Sequence, residues 1–463
     1  MKAFDFSKKL KVYFIGIGGI SMSAIALILH KNGFDVSGSD VSESNNVKSL
    51  MQKGIKVFIG QKKENITKDI DMVVYSKAIH DDNEEIIAAK EFGIELISRS
   101  KILGEIMANY DRRICVAGTH GKTTTTAIIS KVLYDQNFDP TINVGGIVDE
   151  IGGNSYIGHD EKLFIAEACE YTNSFLDFCP SIAVVTNIEE DHLDFFKDIN
   201  DIRKSFKKFI ELLPDDGILV INNRIDDIPS LVKDTKVKVI IYGDDDTADY
   251  YFKNVSYDEK HYQSFDVYHK GTLIGRMRQK LIGKHNALNF LAGLAVLTEF
   301  GITFDDIKKS LEDFKGARRR LEVKRIVNGV TYIDDYAHHP TEIEASLNAL
   351  KEIKYNNLFL IFQPHTYTRT KALFGEFVRV LGNNPITILA KIYPAREKDL
   401  GIVSSKDITE SVKHDKNNLN NFCEYFETFE DIYEYISKNA KSGDIVVTMG
   451  AGDIYKVIDL VSG

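Results

Sequence analysis

Short apolar runs alternate with amphipathic stretches along most of the chain. Runs of four to six residues such as Lys11-Val12-Tyr13-Phe14-Ile15 are too short for helices and read as buried strands. In the first part, strands are expected at 11–15, 36–40, 56–59, 71–76 and 95–98, interleaved with helices at 24–31, 83–91 and 100–108. The pattern resumes with strands at 114–117, 163–168 and 181–186 and a helix at 125–134. A glycine turn is expected at Asn143-Val144-Gly145-Gly146, after a short strand. Residues 250–281 alternate polar and apolar positions instead, as antiparallel strands added to the middle sheet would, and a helix follows at 290–300. Beyond residue 316, strands at 330–333, 358–362, 386–390 and 445–449 are interleaved with helices, including 341–353 and a closing helix. Alternation of this kind predicts an α/β fold of parallel sheets flanked by helices.

The polar residues are not scattered evenly between these elements. They gather where strands end, which is where open α/β sheets bind ligands. The clearest cluster is Gly118-Thr119-His120-Gly121-Lys122-Thr123-Thr124, between an apolar strand and a helix. Strand, glycine-bearing loop, lysine, hydroxyl and helix make a phosphate-binding loop. Backbone N–H groups and the helix N-terminus would face phosphate oxygens, Lys122 would reach the β/γ-phosphates, and Thr123 would face magnesium. The full G-x-x-x-x-G-K-[ST] pattern needs glycine at 116, where this chain has Val116.

Other strand ends carry weaker signals. Gly16, Gly18 and Gly19 follow the first strand, Asp40 ends the second, and Ser76 ends the fourth. This resembles a dinucleotide fingerprint with Ser21 in place of the third glycine, and it fits NAD, a nucleotide sugar or a plain tight turn. Glu167 with Glu170, and the run Glu189-Glu190-Asp191-His192-Leu193-Asp194, end two middle strands. Glu167 and Thr123 offer the hard oxygens magnesium takes, and His192 suits a second site. His285 and Asn286 open a helix, and Arg318, Arg319 and Arg320 occupy a turn that suits phosphate recognition or a solvent-facing linker. Asp334, Asp335, His338 and His339 follow one late strand; His365 and Arg369 follow another.

At 463 residues the chain is long enough for about three domains. It is 43% hydrophobic and 27% charged, with no apolar run approaching the roughly 18 residues of a membrane span. The polar first eleven residues lack the core of a signal peptide, and four cysteines without C-x-x-C spacing suit free thiols in a reducing cytoplasm. A formal net charge of −10 argues against general nucleic-acid binding, yet leaves room for an anionic small substrate held by local arginines and glycine loops.

Together these motifs resemble the Mur ligases, the ATP-dependent amide-forming enzymes of cell-wall precursor synthesis. Gly-Thr-His-Gly-Lys-Thr at 118–123 and Asp-Asp-Tyr-Ala-His-His-Pro at 334–340 resemble the alanine-adding branch, and the likeness covers essentially the whole chain. It implies a Rossmann-like UDP-sugar domain (1–109), a P-loop ATP domain with added antiparallel strands (110–319), and a Rossmann-like amino-acid-side domain (320–463). The substrates implied are UDP-N-acetylmuramate and L-alanine, with ATP and Mg2+ and no nucleic-acid or membrane partner; monomer and dimer both remain open. Gly16, Gly18 and Gly19 would then hold the UDP pyrophosphate, with Asp40 and Ser76 on the same side. The loop Gly118 to Thr124 would hold ATP phosphates. Thr123 and Glu167 would bind one magnesium and His192 a second. Asn286, with His285, would sit at the adenine, Arg320 at the γ-phosphate, and Asp335 would reach the nucleotide. His338 and Arg369 would line the amino-acid side, with His338 as the candidate base, or else as a cap of the next helix. A related branch that recycles murein tripeptide shares the histidine loop. Closure of three ligand-bearing domains, with Gly316 and Arg320 near a hinge, is expected on chemical grounds.

Overall fold

The computed structural model describes residues 3–76, 79–192, 195–259, 261–395, 397–415 and 421–461. The first sheet has five parallel strands: β1 (Lys11–Ile15), β2 (Asp35–Asp40), β3 (Lys56–Ile59), β4 (Met72–Tyr75) and β5 (Glu95–Ser98). Their order is β3-β2-β1-β4-β5, so the chain reverses direction across the sheet between β1 and β4. Ile15 is registered with Tyr75, which brings the glycine turn after β1 beside Ser76 after β4. Both sit at the switch point where such sheets bind ligands.

The middle sheet has ten strands. They are β6 (Arg112–Ala117), β7 (Thr141–Val148), β8 (Gly153–Tyr156), β9 (Leu163–Glu167), β10 (Ile182–Val185), β11 (Ile218–Asn222), β12 (Lys238–Gly243), β13 (Tyr250–Tyr257), β14 (Gln263–His269) and β15 (Thr272–Gln279). Their order is β15-β14-β13-β12-β11-β10-β6-β9-β7-β8. β6 lies between β10 and β9, parallel to both, so the ends of these three strands converge on the loop after β6. The expected addition of strands from 250–281 to this sheet is observed.

The third sheet contains β16 (Glu322–Val327), β17 (Val330–Asp335), β18 (Leu358–Phe362), β19 (Ile386–Leu389), β20 (Phe422–Tyr425) and β21 (Ile445–Met449). Its order is β16-β17-β21-β18-β19-β20, with β16 antiparallel and the rest parallel. Its central strands β17, β18 and β21 are buried along their whole length. That explains why β18 and β21 read as near-continuous apolar runs rather than alternating ones.

The chain forms two compact units. One comprises Met1–Asn254, Phe265–Met277 and Ala287–Phe314; the other comprises Val255–Ser264, Arg278–Asn286 and Lys315–Gly463. No helix among the described residues is long and apolar enough to cross a membrane.

Several expected boundaries shift. The glycine turn expected at 143–146 is instead the middle of β7, Thr141–Val148. β7 pairs with β9 at 141–143 and with β8 at Ile142, Asn143 and Val148, its register shifting across the glycines, and Gly145 gives its N–H to Glu167. The helix after the phosphate loop begins at Lys122 rather than 125, and the one expected from 290 begins at Lys284. β17 runs on through Asp334, paired with β16 and β21, and Asp335, paired with β21.

Candidate active site

The phosphate loop is held from behind by the residues that follow β10. Asn187 accepts a hydrogen bond from the His120 N–H through Oδ1 (2.8 Å) and donates from Nδ2 to the His120 carbonyl (3.1 Å). The Thr186 hydroxyl donates to the same carbonyl at 2.5 Å, and the Thr119 hydroxyl accepts the Glu189 N–H at 3.0 Å. Gly118 and Gly121 take positive φ (139° and 83°), and the helix starts directly at Lys122, so the first-turn N–H groups of the helix open into the loop. Val116, at the position where the longer motif has glycine, is simply an interior residue of β6 with no exposure.

Lys122 is buried within this loop. Its ammonium donates to the Gly118 and Thr119 carbonyls (2.5 and 3.0 Å) and to both oxygens of Glu170 (3.1 and 3.0 Å). Burial alone would depress its pKa; the Glu170 carboxylate, with Cys169 and Glu167 nearby, reverses this and holds it above the usual lysine value. Beside it the Thr123 hydroxyl lies 3.0 and 3.1 Å from the Glu167 oxygens, and Glu167 Oε2 also accepts the Gly145 N–H at 2.8 Å. A hydroxyl and a carboxylate converging at a phosphate loop form the hard-oxygen donor set that suits magnesium. Thr124 is buried in the first turn of the same helix.

Gly145 explains why β7 carries glycine here. A β-carbon at this position would lie 2.4 Å from Glu167 Oε2. Gly145→Ala should therefore push the carboxylate off Thr123 and raise the KM for magnesium-ATP by about tenfold or more, the usual scale for a displaced ligand support. Steady-state titration with magnesium-ATP measures this, and an unchanged KM would show that Glu167 tolerates the displacement.

A second cluster adjoins the first. Glu170, Asp191 and His192 each offer a ligand atom, and these atoms lie within 4.8 Å of one another. His192 Nε2 is 3.7 Å from Glu170 and 3.8 Å from Asp191, and its ring packs on Tyr171 at 4.4 Å between centroids. The turns that carry these groups take left-handed backbone at Thr172, Asn173 and His192. Such strain persists where the surrounding structure imposes it, commonly at functional sites. Leu193 and Asp194, expected in the same acidic run, lie outside the described residues.

In the first sheet, the Gly18 N–H donates to Asp40 Oδ2 at 2.9 Å. Asp40 thus braces the glycine turn in this structure. Ser21, where the fingerprint has its third glycine, accepts a 3.2 Å hydrogen bond from Asn143 in β7, so its hydroxyl links the first helix to the middle sheet. Behind the turn, the fully buried Glu85 carboxylate accepts hydrogen bonds from Tyr13 (2.8 Å), Ser39 (2.6 Å) and Asn65 (2.8 Å).

The remaining candidates lie in the other unit. His285 and Asn286 fall in the first turn of the helix from Lys284, and Asn286 Nδ2 donates to the Ile282 carbonyl at 2.8 Å. In the arginine turn, Arg319 is a structural pin: it donates to Asp334 (2.9 Å) and to the carbonyls of Gly450 (2.5 Å) and Gly452 (3.0 Å). The Arg320 guanidinium lies over the Tyr336 ring at 5.5 Å, as Arg319 does at 5.1 Å. Asp335 accepts the Leu321 (2.8 Å) and Ala337 (2.6 Å) N–H groups. Burial pushes its carboxyl up to about 6, against the opposing pull of Arg320 and these two donors.

A raised carboxyl favours the folded state only while protonated, so its contribution is full below the unfolded pKa and is lost as pH rises through about 6. Replacing Asp335 by asparagine should remove that dependence. The stability difference between the two proteins should change by about 2 kcal/mol between pH 4 and 7. Urea denaturation across that range tests it, and parallel pH profiles would contradict it.

The two adjacent histidines divide the roles expected of His338. His339 caps the helix Pro340–Leu350 in a reciprocal capping box with Glu342. His338 Nδ1 faces two acceptors, the Tyr336 carbonyl (3.0 Å) and Glu342 (3.2 Å), so Nδ1 carries the proton and Nε2 keeps its lone pair. The His338 ring lies 5.9 Å from that of His365, which stacks on Tyr393 (5.7 Å) and sits 3.5 Å from Arg369. Burial lowers both imidazole pKa values, that of His365 to about 4, so both rings are neutral at pH 7. His365 and Tyr393 had no assigned role in the sequence; a backbone bridge just beyond β18 and β19 brings them together. Arg396, next to this cluster in sequence, lies outside the described residues.

Comparison with known proteins covers nearly the whole chain. Residues 11–111 match the Mur ligase family catalytic domain, 116–297 the Mur ligase middle domain, and 319–452 the Mur ligase glutamate ligase domain. A UDP-N-acetylmuramate–L-alanine ligase of Agathobacter rectalis is 48% identical over 457 residues, covering 99% of this chain and 98% of its own. The chain belongs to the Mur ligase family. A second relative with the same name, from Lachnospira eligens, is 48% identical over 458 residues, 99% of each chain. Among solved Mur ligases, the UDP-N-acetylmuramate–alanine ligase of Thermotoga maritima superposes with a TM-score of 0.81 at 28% identity, covering 97% of this chain and 98% of its own. A murein peptide ligase of Psychrobacter arcticus shares the fold, with a TM-score of 0.71 at 22% identity, covering 98% of this chain and 100% of its own.

Proposed function

We propose that this Mur ligase joins L-alanine to the carboxylate of UDP-N-acetylmuramate, converting ATP to ADP and phosphate. The reaction would be the first amino-acid addition in cytoplasmic synthesis of the peptidoglycan precursor. What supports this above all is the phosphate loop after β6, with Lys122 and the Thr123–Glu167 pair, in a chain alike over its full length to ligases of that name. In functional terms the chain divides into a UDP-sugar domain (1–109), an ATP domain (110–319) and an amino-acid-side domain (320–463).

A carboxylate does not condense with an amine at neutral pH, because its oxygen is a poor leaving group. Transfer of the ATP γ-phosphoryl group to the carboxylate makes an acyl phosphate; the neutral amine attacks it, and the tetrahedral intermediate expels phosphate. Such transfers depend on positioning and charge neutralisation. Lys122 and Arg320 supply positive charge at the transferring phosphoryl group, and loop N–H groups from Gly118 to Thr124 orient the phosphates. Thr123 and Glu167 would hold one magnesium ion and His192 a second; when bound, magnesium neutralises phosphate charge during transfer. Asn286, with His285, takes the adenine side, and Asp335 the nucleotide. Gly16, Gly18 and Gly19 hold the UDP pyrophosphate, supported by Asp40 and Ser76. His338 presents the free lone pair of Nε2 to the incoming ammonium and takes its proton, while Arg369 orients the amino acid's carboxylate.

Phosphate release from magnesium-ATP, measured with UDP-N-acetylmuramate and with and without L-alanine, tests the reading. Release that needs both substrates, with a product heavier by one alanine residue, is the expected result. Release with L-alanyl-γ-D-glutamyl-diaminopimelate in place of alanine would move the chain to the recycling branch.

A further inference from the structure

Glu170 has no part in the mechanism above, yet it is the most deeply buried carboxylate of the ATP site, with only 3% of its side chain exposed. It serves two neighbours. Both its oxygens pair with Lys122, and Oε1 also faces His192 Nε2 at 3.7 Å. A buried carboxylate needs a cationic partner, and Lys122 is that partner here. The same carboxylate, with Asp191 and His192, makes a three-ligand set of two hard oxygens and an imidazole. His192 Nε2 lies 3.7 Å from Glu170 and 3.8 Å from Asp191, inside the roughly 4.2 Å that separates ligands on opposite sides of a magnesium-sized ion.

We propose that Glu170 is a shared carboxylate that couples occupation of the phosphate loop to divalent-cation binding at His192. While Lys122 holds Glu170, a cation beside His192 would meet the lysine's like charge and lack its third ligand. When Lys122 turns to a nucleotide's phosphates, Glu170 loses its partner and closes on the cation with Asp191 and His192. Nucleotide and this cation therefore bind with positive cooperativity, and the ligand-free enzyme keeps the site weak. The inference rests on the reading above in one respect, that Lys122 engages the nucleotide's phosphates.

The coupling is testable without nucleotide, by titrating the full-length protein with Mn2+ and following free Mn2+ by electron paramagnetic resonance. Lys122→Met frees Glu170 permanently, so this variant should bind one Mn2+ at least about tenfold more tightly than wild type, and its thermal transition should rise with added Mn2+. Adding Glu170→Gln or His192→Ala to Lys122→Met should abolish the gain. Lys122→Gln, which keeps a hydrogen bond to Glu170 but no charge, is the second variant should the methionine protein fold poorly, and the same gain is expected. Equal affinity in wild type and in the folded Lys122 variant overturns the proposal, as does a gain that survives His192→Ala. Ligase turnover of the wild type is measured separately. Turnover with unchanged Mn2+ affinity in the variant sinks the coupling alone, whereas a gain without turnover supports the coupling and sinks the proposed function.

Discussion

Lys122→Ala protein is expected to release phosphate from ATP at least about a thousandfold more slowly than wild type, with kcat rather than the KM for UDP-N-acetylmuramate carrying the loss. The lysine sits in the first turn of the helix after β6, and its ammonium is trained on the loop carbonyls and Glu170. Lys122 is the cation that bonds the Gly118 and Thr119 carbonyls and both Glu170 oxygens, so its loss removes the charge at that pocket. Phosphoryl transfer leaves little for an enzyme to do beyond placing and neutralising charge, which is why one cation counts for so much. Single-turnover measurement of ADP formation separates chemistry from product release. A drop below tenfold would mean that the loop does not hold the transferred phosphoryl group.

Gly118→Ala should cost about 3 kcal/mol of stability, combining overpacking and a strained backbone. At φ 139° Gly118 occupies a conformation that residues with a β-carbon avoid, and an added β-carbon would stand 1.9 Å from Thr186 Oγ1 and 3.1 Å from the Asn187 nitrogen. Thr186 cannot simply swing away, because its hydroxyl donates to the His120 carbonyl and so holds the loop. The damage should therefore reach activity as well as stability. Urea denaturation read by a probe in the middle sheet gives the energy. A change under about 0.5 kcal/mol, the usual range for harmless surface substitutions, would show that the loop relaxes freely.

Much of the fold is legible in the sequence because parallel strands buried on both faces must be apolar along their whole length. β1, β6, β18 and β21 stand out for that reason. Helix starts were harder to read. Lys122 and Lys284 begin helices directly after glycines in left-handed conformation, with no apolar stripe to announce them. β7 was misread because its glycines look like a turn; they are extended in order to bring a backbone N–H against Glu167. In the site, the phosphate loop, Glu167, His192 and His338 carry local patterns that chemistry can interpret. Glu170 and Tyr393 do not, since Glu170 meets Lys122 and His192, and Tyr393 meets His365, from distant points of the chain.

The sequence by itself therefore determined the α/β class, the positions of the central strands and the chemistry each strand end can offer. These are local properties, set by burial along a strand and by the residue types in a turn of a few positions. Tertiary structure alone decided which of these groups meet. The order β10-β6-β9 brings Asn187, Lys122 and Glu167 to one loop, and the turn after β9 carries Glu170 to both Lys122 and His192. Strand order comes from how helices and crossovers pack over the whole sheet, and no stretch of sequence a few residues long contains it.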